Sequence, residues 1–424
     1  MKEDIRETRL ENGIVVLTDK MSGVRSATLG FFYRVGSRNE PDELNGITHF
    51  IEHCVFKGTN KRSAMDIAIE QDRLGGTLDA FTTHEETGFV IKVIDDQIDP
   101  AFDLLADMLG DPRFDDADCI NEQRVIIEEM KMNEDSPEDL LSDIFHREFF
   151  PGHQLGMAIT GTPDTVRAFD HEHTLKFHRS AFGPENLIVV AAGNIDHDDL
   201  VAKVQSSRFS VPTPADTSSL KVTAPKIAAP IFIENRSDLE QAHVIIATPM
   251  VRADDPRRYA ADLLSNALGG GTSSRLWQKV REERGLAYSV GASTAMYNDT
   301  GFFTVSAGTS PDQVEELLDI VVDELRAVAR DGITQDELDL MKEQTRAAVL
   351  LGLEDSAGRA GSLAQCEMVH GRQIPVEESL ANIAAVTVED IQSLAAECFQ
   401  SDKIAFVALG DLDGLTVTRE RLAI

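Results

Sequence analysis

The second half of this 424-residue chain repeats the first. Thr59 recurs as Thr272, Gly88 as Gly301, Phe89 as Phe302, Leu104 as Leu317 and Leu105 as Leu318, each pair 213 positions apart. An offset held over roughly 45 residues marks two copies of one structural plan. In both copies a β-rich opening is followed by a helix, a loop, a second helix, a strand pair and a long helix. Strands such as SATLGFFYRV and QAHVIIATPMV alternate with amphipathic helices such as VEELLDIVVDELRAVA, so each copy reads as an α+β domain of about 200 residues, enough for one core. Between Pro212 and Pro230 the stretch PTPADTSSLKVTAPKIAAP has neither a helical nor a strand period. It reads as a linker (212–230) between domains at 1–211 and 231–424.

One short stretch does not repeat. At the same offset His49, Glu52 and His53 fall opposite Asp262, Ser265 and Asn266. Residues four apart on a helix share a face, so His49 and His53 are candidate ligands of one metal ion. Glu52 beside them is a carboxylate able to take a proton from a water held there. The order His-x-x-Glu-His inverts the commoner zinc motif and is the inverzincin signature. A tetrahedral zinc needs a third protein ligand. The helical segment NEQRVIIEEMKMNED (121–135) carries Glu122 and Glu129 two turns apart, with Glu128 as a competitor. Taken alone it reads rather as a solvated acidic helix, since charged residues at helical spacing usually face water.

Two further stretches suit a substrate. LGGTLDAFTTHEETGFVIKV (74–93) has a Gly-Gly turn followed by strand-like alternation, and predicts a strand with an available edge. LGGGTSSRLWQKVREERGLAYSV (268–290) predicts a glycine turn, a basic helix and then a tyrosine, with Arg281 and Tyr288 seven apart and Arg284 as local competitor. A guanidinium or phenol aimed at a developing oxyanion lowers the barrier to amide hydrolysis, although a helix arginine ordinarily faces water. Cys54 follows His53 but points about 100° away on a helix, and reads as a buried thiol.

Acidic residues outnumber basic ones 73 to 40, a formal charge of −33. This argues against nucleic acid or an anionic membrane as partner and fits neutral or basic ligands. The four cysteines, Cys54, Cys119, Cys366 and Cys398, are widely spaced and form no Cys-x-x-Cys pair. Neither a disulfide framework nor a thiolate zinc site is suggested. No leader-like run opens the chain, and no segment reaches the ~18 apolar residues of a membrane span. The expected home is cytoplasmic.

HFIEHCVFKGT at 49 to 59, followed by Glu122-x6-Glu129, resembles the M16 peptidases, the clan of pitrilysin, insulin-degrading enzyme and the mitochondrial processing peptidase. The resemblance extends over nearly the whole chain. It implies two homologous M16-type domains of the LuxS/MPP-like metallohydrolase kind, each a mainly antiparallel sheet covered by helices. It implies one Zn2+ per chain on His49, His53 and Glu129, with Glu52 as general base and Glu122 as supporting carboxylate. The family's Gly-Gly-x-x-Asn-Ala-Phe-Thr strand, to which a peptide adds as a further strand, matches Ala80, Phe81 and Thr82 but has Asp79 in place of Asn. Its Arg-x6-Tyr pair matches Arg281 and Tyr288. Members of this length resemble half of larger enclosing enzymes, which implies a homodimer, each subunit offering Arg281 and Tyr288 to the other's zinc. A heterodimer with a homologue lacking the zinc motif is the alternative. So is a non-catalytic scaffold, since the fold also serves in respiratory-complex core proteins and inactive processing-peptidase partners.

Overall fold

The computed structural model describes residues 3–210 and 222–424. The expected linker lies outside the described residues up to position 221, and 222–230 contain no helix or strand. Contacts divide the chain into two units that do not follow its order. Unit one collects the described residues of Met1–Met132, Met157–Thr223 and Leu350–Pro375. Unit two collects Asn133–Gly156, Ala224–Val349 and Val376–Ile424.

Unit one holds a six-stranded sheet in the order β1 (Ile5–Arg9), β2 (Val15–Lys20), β6 (Leu187–Gly193), β3 (Ser26–Tyr33), β5 (Thr87–Ile94), β4 (Thr77–Thr82). Only β2 and β6 run parallel. Unit two holds a five-stranded sheet in the order β7 (Ile231–Asn235), β11 (Ala405–Gly410), β8 (Ala242–Pro249), β10 (Gly301–Thr309), β9 (Ala287–Met296), with only β7 and β11 parallel. The repeat of sequence is therefore a repeat of topology. β2, β6, β3, β5 and β4 map in order onto β7, β11, β8, β10 and β9, and both sheets are mainly antiparallel.

Strand side chains alternate between faces. On one face of sheet one, Leu29, Phe31, Phe89 and Ile91 pack against Phe50 and Ile51 of the motif helix (Ile47–Cys54) and Leu104 and Leu105 of helix Ile98–Gly110. The other face presents Val15, Leu17, Phe32, Ile188, Val190 and Ala192, and meets Ala360, Leu363 and Ala364 of helix Ser356–His370. In unit two, helix Pro137–Phe149 places Leu141, Ile144, Phe145 and Phe149 against Ile245, Ala247, Phe302, Ala405, Val407 and Leu409. Each covering helix is the third α-helix after its half's edge strand pair, Pro137–Phe149 after β4–β5 and Ser356–His370 after β9–β10. The two are therefore equivalents in chain order, and each half of the chain lends its own to the other half's sheet. Polar contacts fix the loan in unit one. Buried Glu367 accepts hydrogen bonds from Arg9 and Arg34, and Arg359 lies 2.8 Å from Asp19, both buried.

The segment expected to form one strand at 74–93 forms two. Thr83 closes a turn, its N–H donating to Glu86 O and its hydroxyl accepting from the N–H groups of Glu85 and Glu86. Hydroxyl-to-backbone bonding of this kind favours turns over strand continuation. The result is the β4–β5 hairpin, with β4 at the edge of the sheet.

Helix His171–Ala181 carries a buried histidine whose burial has a consequence for acid stability. His178 Nε2 is 3.0 Å from Leu109 O and its ring stacks on Phe182. Burial pushes its pKa down from 6.5 to about 4, the hydrogen bond to Leu109 opposing. Above pH 6.5 neither the folded nor the unfolded chain protonates this ring. As pH falls from 6.5 towards 4 only the unfolded chain gains the proton, and stability is lost across that window. The loss at pH 5 is about 2 kcal/mol. Urea unfolding of wild type and His178→Gln at pH 7 and pH 5 is expected to show a smaller pH dependence in the variant. Equal dependence would exclude His178 as its source.

Candidate metal centre and active site

The motif helix is amphipathic and short. Ile47, Phe50 and Ile51 face the core, while His49 and His53 share the opposite side with ring centroids 4.7 Å apart. The glutamate helix (Asp116–Asp135) brings Glu129 to them. His49 Nε2 lies 3.8 Å from Glu129 Oε1, and His53 Nε2 lies 3.6 Å from Glu129 Oε2. One donor atom from each of the three falls within 4.8 Å of the others. These separations are too long for hydrogen bonds, but they suit edges of a coordination shell. Two donors about 2.1 Å from a tetrahedral zinc stand about 3.4 Å apart. The donor set thus fits zinc, with two imidazoles and one carboxylate leaving a fourth position for water or substrate.

The surrounding charges favour the same use. Burial, with His53 adding, pushes the His49 pKa down to about 3, so its ring is neutral with a free lone pair. Glu122, 4 % exposed, approaches His53 Nδ1 at 3.3 Å and leaves Nε2 turned toward Glu129. Its other oxygen is 2.9 Å from Lys57 Nζ. Burial opposes ionisation of Glu122, yet His53 and Lys57 outweigh it and hold its pKa below the usual carboxylate range. Burial likewise opposes protonation of His53, but Glu122, Glu52 and Glu129 together raise its pKa. Carboxylate support of this kind fixes a ligand ring and raises its basicity. Glu128, the competitor, is turned outward and pairs with Lys131.

Glu52 Oε2 accepts a hydrogen bond of 2.7 Å from Thr82 Oγ1 at the end of β4. Burial raises the Glu52 pKa, with Thr82 and His53 opposing, the direction that suits a proton shuttle near neutrality. Of the four edge-strand residues singled out, Thr82 therefore holds Glu52, Ala80 packs toward the motif-helix core and Asp79 is exposed. Phe81 turns to the other face, against Phe32 at 6.2 Å.

In unit two the expected basic helix is a π-helical turn, Trp277–Glu282. Wide turns of this type recur at functional sites. Arg281 lies between two rings, its Cζ 4.2 Å from the Trp277 centroid and 4.9 Å from that of Tyr288. Tyr288, at the start of the edge strand β9, is 81 % exposed. Arg284 instead donates to Lys279 O and lies beside Glu283 and Glu316. The two expected residues thus come together. Trp277, the chain's single tryptophan and four residues before Arg281, was not singled out from the sequence, although a ring at that helical spacing was a readable signal. The same holds for Lys57, which lies within the quoted motif. Cys54 is buried, and no cysteine is in a disulfide among the described residues.

Two domains of the same sheet-and-helix plan, with one metal-capable cluster among the described residues, frame the comparison with known proteins. Residues 15–163 match the family model described as Insulinase (Peptidase family M16), and residues 168–345 match Peptidase M16 inactive domain. A Streptomyces coelicolor protein named as an uncharacterized zinc protease is 40% identical over 404 residues, covering 93% of this chain and 87% of its own length. YmxG of Bacillus subtilis, also named as an uncharacterized zinc protease, is 33% identical, covering 94% and 96%. The chain belongs to the M16 peptidase family. Among solved structures, a protease from Helicobacter pylori superposes with a TM-score of 0.90 at 23% identity, covering 97% of this chain and all of that one. A chain of Complex III2 from Candida albicans reaches 0.84 at 19%, covering 99% and 100%. These last two likenesses concern the fold alone. No helix among the described residues is long and apolar enough to cross a membrane.

Proposed function

We propose that this chain is a zinc-dependent endopeptidase that hydrolyses extended or unfolded peptides. The observation that carries the reading is the convergence of His49, His53 and Glu129 within 4.8 Å with Glu52 on the same short helix. Zinc held there would act as a Lewis acid on the scissile carbonyl and on the attacking water. Glu52 takes the proton from that water and returns it to the departing amine. Glu122 and Lys57 keep the His53 ring oriented. The free edge of β4 suits a peptide backbone added as a strand, which is tolerant of side chains. Arg281 and Tyr288 supply a cation and a hydroxyl for the carbonyl oxygen in the transition state.

The chain works as a homodimer in this reading, each subunit lending Arg281 and Tyr288 to its partner's zinc across a closed chamber. The net charge of −33 favours basic peptides. The scaffold reading is the weaker one, because the metal-capable cluster is complete. Elemental analysis is expected to give about one zinc per chain, with chelator-sensitive cleavage of an unstructured fluorogenic peptide. Neither zinc nor turnover after zinc is resupplied would favour the scaffold. Mixed dimers of Glu52→Gln and Tyr288→Phe subunits are expected to recover part of the activity. Absence of recovery in verified mixed dimers would argue for sites completed within one chain, or with a different partner chain.

A further inference from the structure

The motif helix begins with a local difficulty. Its N-cap is Gly46, at φ 95° and with no side chain to accept the first backbone N–H groups. A larger residue is barred there, because a Cβ would stand 2.7 Å from Thr160 O and from Gly161 Cα. Water is barred too, since Ile47 and Thr48 are fully buried. Unpaired N–H groups at a buried helix start are costly. Here they would belong to the turn that carries His49, the third residue of an eight-residue helix.

Glu40 resolves this from outside the helix. Its carboxylate is 3 % exposed and accepts from Gly46 N at 2.7 Å, Thr48 N at 2.8 Å and Asn45 Nδ2 at 3.3 Å. A carboxylate at this end also complements the helix dipole. Burial raises its pKa to about 7 even with the backbone N–H groups of Gly46 and Thr48 opposing the shift.

The backbone that delivers Glu40 is fixed in turn on the β4–β5 hairpin. Ser37 N donates to Thr83 O and Arg38 N to His84 O. Ser37 Oγ meets His84 Nδ1 at 2.9 Å and Arg38 reaches Glu85 at 2.6 Å. Gly36 fits so closely that a Cβ would be 2.3 Å from Thr83 O. Thr83 follows Thr82, which holds Glu52. One five-residue segment therefore ties the first turn of the motif helix to the end of the edge strand.

We propose that Glu40 is a positioning residue for the metal centre: as a remote cap it sets the first turn of the motif helix, and with it His49, against His53 and Glu129. This rests on the zinc reading above. Glu40→Gln keeps the size but turns an amide N–H2 toward one of the backbone donors, and Asn45→Ala removes the lateral contact to Glu40 together with the 3.0 Å bond from Asn45 Nδ2 to Ala158 O. Both full-length variants would be compared with wild type by thermal unfolding of the metal-free protein, by zinc affinity in competition with a chromogenic chelator, and by the visible absorption of the cobalt-loaded form. Glu40→Gln is expected to bind zinc about tenfold more weakly or worse, with altered cobalt bands. Asn45→Ala, which keeps the backbone bonds, is expected to lose a few-fold in the same direction, and carries the test if Glu40→Gln does not fold. Unchanged zinc affinity and cobalt bands in every folded variant, whatever happens to the unfolding midpoint, would overturn the proposal. Wild type that binds no zinc would remove the metallopeptidase reading and this one with it, and that result precedes any variant.

Discussion

Glu52→Gln is expected to lower kcat by about 10²–10⁴-fold while zinc content and unfolding midpoint stay at wild-type values. The amide occupies the same volume, and its carbonyl can still accept from Thr82 Oγ1, which lies 2.7 Å from Glu52 Oε2. What it cannot do is take a proton. Since His49, His53 and Glu129 form the metal-capable set without Glu52, metal retention and turnover should separate in this variant. His53→Ala should lose both together. The paired measurement is zinc per chain and single-turnover cleavage on one preparation. Turnover within tenfold of wild type would mean that another group moves the proton.

A chain ending at residue 211 is expected not to fold as a soluble domain, although it would contain the whole metal motif. It lacks helix Ser356–His370, whose Ala360, Leu363 and Ala364 cover Val15, Leu17, Phe32, Ile188 and Val190 of sheet one. Leaving five such side chains in water costs about 7–15 kcal/mol, as much as the whole stability of an ordinary domain. Arg9 and Arg34 would also lose Glu367, and buried Asp19 would lose Arg359. Adding residues 350–375 by a flexible fusion should recover solubility and native-like circular dichroism. A soluble, cooperatively unfolding 1–211 fragment would disprove the importance of the exchanged helix.

Much of this was legible in the chain itself, for reasons that differ by element. The doubled topology followed from identities at one offset, since strand and helix order is carried by local periodicity. His49, Glu52 and His53 were legible because helical spacing alone puts them together. Glu129 and the Arg281–Tyr288 pair were named by resemblance, and their proximity depends on tertiary packing that no local pattern encodes. The helix exchange was invisible for the same reason. Helices Pro137–Phe149 and Ser356–His370 each have an apolar face, and such a face must be covered without the local sequence saying by which sheet. Glu40 was missed because a remote cap leaves no signal at the helix it serves, beyond the lack of a local one at Gly46. The π-helical turn at Trp277 was missed because its composition is that of an ordinary helix.

The borrowed helix also sets a timetable for synthesis. β6, the last strand of sheet one, ends at Gly193, and its covering helix begins at Ser356, about 160 residues later in translation. At about 5–20 residues per second the ribosome needs about 10–30 s to make that stretch. During this interval the nascent sheet carries an apolar face with nothing of its own chain to cover it. Hydrophobic collapse takes far less time than this. The first half of the nascent chain is therefore expected to be prone to aggregation until the helix emerges, and substitutions that prolong the wait should reduce yield before they change the finished protein.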